Sequence, residues 1–164
     1  MYPYLHQRQP LETVSEEKIE AFEKEFGLQF PPRLKHFYQN YSGSTMESMP
    51  FIANGKYYIL DGFHQLFTGS MSAEHVLDIY RQSNRLPKGY FPLGVTHSGD
   101  DFFYDTLHDK VYLVSMDQPK NQELVAKSLD NFFDLLDDAY QNGCEIPKSL
   151  PSRLVEFWAK KRKK

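Results

Sequence analysis

The stretch "YFPLGVTHSGDDFFYDTLHDKVYLVSM", Tyr90 to Met116, holds three β-rich segments parted by two turn-like tetrapeptides, "HSGD" and "TLHD". Aspartate, serine and glycine favour tight reversals, because short polar side chains bond nearby backbone and glycine accepts positive φ. The block therefore predicts an antiparallel meander. A further hairpin lies upstream in "FIANGKYYIL", where Asn54-Gly55 sits between two β-prone runs and suits the positive φ values of a tight turn.

Helical spacing flanks these strands. Ser15 is placed to cap a first helix, Glu16 and Glu17 to favour the positive end of its dipole, and Gly27 to stop it, with Ile19, Phe22 and Phe26 on one face. Pro31 and Pro32 suit the first turn of a second helix, whose apolar stripe is Leu34, Phe37, Tyr38 and Tyr41 and whose stop is Gly43. After turn signals at Asp61-Gly62 and Gly69, "SAEHVLDIYRQSN" predicts a third helix from Ser72, with Val76, Leu77 and Tyr80 on one side. "KSLDNFFDLLDDAYQNG" predicts a fourth, capped by Ser128 and ended by Gly143, with Leu129, Phe132, Phe133, Leu136 and Tyr140 directed inward. "SRLVEFWAKK" predicts a last helix with cations at its negative end.

Helices first, strands in the middle and helices at the close predict an α+β architecture, a central antiparallel sheet flanked by N- and C-terminal helices. At 164 residues one core is the expectation, with residues 1–14 an N-terminal segment, 15–159 the domain and 160–164 a basic tail.

Charge and cysteine usage narrow the function classes. Setting aside the five cations of Lys160 to Lys164 leaves 14 basic against 22 acidic residues, a body of charge −8. Such a body disfavours direct nucleic-acid binding and steers basic partners towards it. Cys144 is the only cysteine, which excludes an intrachain disulfide and a thiolate zinc cage and suits a reducing, cytoplasmic setting. No stretch approaches the ~20 apolar residues that span a bilayer, and "MYPYLHQRQP" has neither a basic leader nor an apolar run, so no membrane association is expected.

Within the meander, "GVTHSGDDFFYD" raises the question of chemistry. A metal or acid/base site would recruit His97, Asp100 and Asp101, with Asp105 or His108 in support. Strand alternation argues otherwise: Asp101 and Phe103 share one side, Phe102 and Tyr104 the other, so the acidic pair is split. A structural turn is the preferred reading. The remaining histidines form no recognised ligand pattern, and no nucleophile elbow, phosphate-cradling loop or dinucleotide fingerprint is present. No cofactor is expected. Asp130, Asp134, Asp137 and Asp138 interleave with apolar residues as the solvated face of a helix does, and beside an acidic hairpin that face would complement a basic protein.

"EEKIEAFEKEFGLQFPPRLKHFYQNYSG", then "LPKGYFPLGVTHSGDDFFYD" and "KVYLVSMD", then "SLDNFFDLL", together resemble the SUKH superfamily, whose eukaryotic members include Smi/Knr-type cell-wall regulators. Gly27, Pro31, Leu34, Phe37 and Gly43 match its early signature, and Pro87, Gly94, Gly99, Asp100 and Asp105 the later one. The Pro31-Pro32 pair, "YSGS" in place of an Asn-Gly turn, the Trp158 helix and "KKRKK" depart from the usual pattern. The resemblance implies an α+β fold and, from bacterial members, an immunity protein that neutralises a cognate toxin, often a nuclease, of a polymorphic toxin system. It brings no catalytic residue.

Three functions follow as expectations: a cytoplasmic, non-enzymatic inhibitor of a basic toxin; an interaction scaffold like the cell-wall regulators; and a metal-dependent hydrolase centred on His97, Asp100 and Asp101. The first is preferred, with partner contacts expected at Asp100, Asp101 and Tyr104 on the hairpin and at Asp134 and Asp138 on the late helix.

Overall fold

Ser15 opens α1 (Glu16–Phe26) by accepting from the Lys18 amide at 3.3 Å, and Gly27 closes it in the left-handed region at φ 66°. α2 (Pro32–Tyr41) starts at the proline pair, where a missing N–H leaves no helical bond unmade. The structure is a computed structural model that describes residues 2–6, 14–42, 44–67, 72–82, 86–115 and 122–143. Gly43, Gly69, Cys144, the last helix with Trp158 and the Lys160–Lys164 tail lie outside the described residues.

Six strands follow in one sheet: β1 (Met49–Ala53), β2 (Lys56–Phe63), β3 (Tyr90–Thr96), β4 (Asp101–Asp105), β5 (Lys110–Val114) and β6 (Gln122–Ala126). They pair in chain order, each antiparallel to the next, which is the expected three-strand meander joined by the upstream hairpin and by one further strand, β6. Asn54 and Gly55 hold φ 54° and 74°, as the two-residue turn between β1 and β2 requires. α3 (Ala73–Gln82) bridges β2 and β3, and α4 (Leu129–Asn142) follows β6.

The sheet coils until its ends nearly meet. Asn54 Nδ2 donates to the Leu124 carbonyl at 3.0 Å, and Lys56 forms an ion pair with Glu123, so the first hairpin reaches the last strand. Gly94 permits the bend: a Cβ there would stand 2.8 Å from the Gly62 carbonyl oxygen and from Leu60 Cδ1. Register shifts at Leu60/Gly62 and Pro92/Gly94 mark the same place.

Two apolar clusters hold the layers together. The larger gathers Ile19, Phe22, Leu34 and Phe37 from α1 and α2, Phe132 and Phe133 from α4, and Phe51, Phe91, Phe102 and Tyr104 from the sheet. The smaller lies on the opposite face, where Val76 and Tyr80 of α3 cover Tyr90, Phe103 and Val114. β4 is the strand buried on both sides, and all five of its residues are enclosed.

Three expectations need correction. β2 runs through Asp61-Gly62 instead of ending there, because a bulge absorbs the glycine. β6 begins with Gln122 and Glu123 and has little apolar alternation; its pairing with β5 makes it a strand. Tyr140 is 52% exposed although Leu129, Phe132, Phe133 and Leu136 are buried, since α4 outruns the sheet that it covers. The N-terminal segment also enters the domain: Tyr2 and Tyr4 are buried, and His6 bridges Thr45 through N···O contacts of 2.7 and 2.9 Å.

Candidate functional site

The acids of the central hairpin are spent largely on the fold. Asp105 accepts from the Leu107 and His108 amides at 3.0 and 3.2 Å and lies 2.8 Å from His108 Nδ1, which organises the β4–β5 turn. Asp109, at φ 54°, accepts from the Tyr104 hydroxyl at 2.9 Å and from the Leu129 amide at 3.1 Å, tying that turn to the start of α4. Asp101 points to the α3 side, where its two oxygens lie 2.7 Å from His64 Nε2 and 2.9 Å from the Tyr80 hydroxyl.

Asp101 and Tyr104 are therefore buried residues, although Tyr104 lines the wide groove beside Pro31 and Asp109. Alternation did place them on opposite faces; both faces of β4 are covered. Asp100, half-buried at the tip, is the most accessible of the three hairpin candidates. Asp134 and Asp138 are exposed on α4, as a contact role demands.

The metal grouping does not assemble. His97 Nδ1 sits 3.4 Å from Asp61 Oδ2, whose other oxygen accepts from Ser48 Oγ at 2.6 Å, while Asp101 is committed beneath α3. Among the described residues no group of three or more His, Cys, Asp or Glu side chains is positioned to hold a metal ion. Nor is any helix among them long and apolar enough to cross a membrane.

Two concave surfaces accompany these residues. A cleft of about 230 Å³ is walled by Tyr58, Ile59 and Leu113 and edged by Lys56, Glu123 and His97. Burial, and then the Glu123 carboxylate, push the Tyr58 hydroxyl up to about 12, so it keeps its proton at neutral pH. A wider groove of about 490 Å³ runs beside Pro31, Pro32, Asp109 and Leu129, and the Arg33–Asp130 ion pair of 2.6 Å lines it.

On α4 the electrostatics are one-sided, for its sequence carries Asp130, Asp134, Asp137 and Asp138 and no lysine or arginine. Asp137 is half-buried, and burial raises its carboxyl above the usual carboxylate range; Arg33 and the amino terminus oppose that rise and Asp134 adds to it. The folded protein thus holds this proton more tightly than the unfolded chain does. Stability linked to Asp137 is present at low pH and is lost as pH rises through the raised value. Asp137→Asn is expected to raise the melting temperature at neutral pH, by the equivalent of less than about 1 kcal/mol given solvent screening. The gain should shrink towards zero below the ordinary carboxylate range, which thermal melts across acid pH would check.

Sequence reasoning passed over the His64–Asp101–Tyr80 cluster and the role of Tyr4 against α4. Partners so distant along the chain leave no local spacing to find. Asp137 was legible as part of the acidic helical stripe, but its partial burial was not.

A family model, the SMI1 / KNR4 family (SUKH-1), matches residues 13–135. Comparison with curated proteins finds no match.

Proposed function

The chain belongs to the SMI1 / KNR4 family (SUKH-1), and from that membership we propose that it is a non-enzymatic immunity protein that binds and neutralises a basic toxin, a nuclease of a polymorphic toxin system, in the cytoplasm. Family membership is the observation that carries the reading. Two features support it. Asp101 and Asp105 of the hairpin are engaged in holding α3 and a turn, and α4 presents exposed acids free of neighbouring cations on the same helix. A surface of this sign suits a cationic protein and repels a nucleic-acid backbone.

Co-expression with the toxin-like product of a neighbouring reading frame tests the proposal: growth should be rescued and the two proteins should co-purify. Unrelieved toxicity would overturn it, and absence of any such reading frame would favour the regulatory scaffold of the Smi/Knr kind. Charge steering adds a second expectation. The association rate should fall on the order of tenfold from low to physiological salt while the dissociation rate changes little. Stopped-flow mixing at several ionic strengths checks this, and a rate indifferent to salt would remove the steering component.

A further inference from the structure

One surface combines exposed acids with buried polar atoms that lack partners. Tyr4 is 5% exposed and its ring meets that of Tyr140 at 6.1 Å between centroids, yet its hydroxyl has no hydrogen bond among the described residues. Asp137 Oδ1, nearly one turn before Tyr140 on α4, is likewise buried and unpartnered. Buried polar atoms are ordinarily paired, because an unmade bond leaves the desolvation cost uncompensated. Asp134, one turn before Asp137 on α4, and the adjacent Asp138 are exposed, and Tyr140 presents an exposed ring. Arg33, paired with Asp130, and the amino terminus attract the Asp137 carboxylate from nearby, but neither buried oxygen has a hydrogen bond among the described residues. A cluster of acids alone would be a solvated helix face; the unpaired Tyr4 hydroxyl and Asp137 Oδ1 give this one hydrogen-bonding capacity that is not used.

We propose that Asp134, Asp137, Asp138, Tyr4 and Tyr140 form a binding site for an arginine side chain presented by a basic partner protein. The groups are carboxylate oxygens, which only accept and of which Asp138 Oδ1 already accepts from Asn142 at 2.7 Å, a phenol that can accept, and an aromatic ring. A guanidinium matches that set: its five N–H donors form a planar fork that can bond several oxygens at once, and its face stacks on a tyrosine ring. A lysine ammonium supplies the charge without the fork. An anion would meet three carboxylates, and an apolar group would leave the buried atoms unpaired. The carboxyl of Asp137, which burial and Asp134 hold up, would ionise more readily once a cation arrived. The identity of the partner as a toxin rests on the inhibitor reading; the chemistry of the site does not.

Calorimetric titration of the full chain with a hexa-arginine amide, and separately with a hexa-lysine amide, tests the site at low salt. Binding is expected for both, tighter for arginine. The double variant Asp134→Asn/Asp138→Asn should weaken the arginine peptide by about tenfold or more, and Tyr4→Phe by about threefold with the fold retained. Glu16→Gln/Glu17→Gln, which removes two exposed acids from α1, should leave affinity within about twofold. Equal weakening by the two double variants would show diffuse attraction and overturn the site, as would an absence of peptide binding or indifference to Tyr4→Phe. Rescue by the wild-type chain is scored in parallel. Failed rescue with peptide binding intact sinks the inhibitor reading alone; successful rescue without peptide binding sinks the site alone.

Discussion

Replacing Asp101 by alanine is expected to destabilise the protein by about 3–5 kcal/mol, a large fraction of the 5–15 kcal/mol that typically separates folded from unfolded chains. The carboxylate is 2% exposed and accepts at both oxygens, from His64 Nε2 at 2.7 Å and from Tyr80 at 2.9 Å. His64 follows directly on β2, its amide donates to the Leu93 carbonyl of β3, and its own carbonyl accepts from Tyr38 of α2 at 2.8 Å. One side chain thus links α3 to three strands and, through His64, to a second helix. Alanine would remove from the interior the acceptor that an imidazole and a phenol share. Tyr80→Phe, which leaves the His64 contact in place, should cost only about 1–2 kcal/mol. Urea denaturation with an unchanged slope is the measurement; a loss below about 1 kcal/mol for Asp101→Ala would mean that this cluster does not hold α3 to the sheet. The consequence reaches the functional assay. A charge reversal at Asp101 would abolish rescue by unfolding the protein, so Asp100 is the hairpin acid with which an interface can be probed.

The elements that were legible share one property: their cause is local. Ser15, Gly27, the Pro31-Pro32 pair, Asn54-Gly55 and Ser128 each act on backbone within four residues of themselves, and each does so in the structure as its chemistry predicts. β6 had no such signal. Its first residues are polar, and what makes it a strand is the edge of β5 and the side chains of Asn54 and Lys56. Gly62 misled for the opposite reason, as a glycine that marks a turn in isolation marks a bulge when a neighbouring strand, here β3 with Gly94, passes within contact distance.

The candidate contacts divide along the same line. Alternation separated Asp101 from Tyr104 correctly, yet it cannot tell a face open to water from one roofed by a helix that returns from elsewhere in the chain. α3 roofs one face of β4, and the aromatic core takes the other. Asp134 and Asp138 are exposed because helical period alone places them opposite Phe132 and Phe133. Tyr4 entered only through folding, when the first residues of the chain laid an aromatic ring against the far end of α4.

That dependence of the acidic face on what lies beneath it can be measured. Phe132→Ala is expected to cost about 3–5 kcal/mol, the ordinary range for emptying a fully enclosed aromatic site. Phe132 has no exposed surface and meets Phe51 and Phe102 of the sheet at 5.8 and 5.6 Å between centroids, with Phe133 beside it at 6.2 Å. The cavity would open between α4 and the strands, so the damage should concentrate there. Amide exchange should show α4 losing protection ahead of β3 and β4, a sub-global opening of the helix and not a uniform loosening. Asp134 and Asp138 are untouched by the substitution, but they would meet the proposed partner only while α4 is docked. Partner affinity should therefore fall by the fraction of molecules whose helix is detached, and a ligand that binds α4 should recover part of the lost stability by mass action. Full protection of α4 in the alanine variant would show that Phe133, Leu136 and the Leu129–Asp109 bond suffice to hold it, and that the acidic face is built on a broader footing than Phe132.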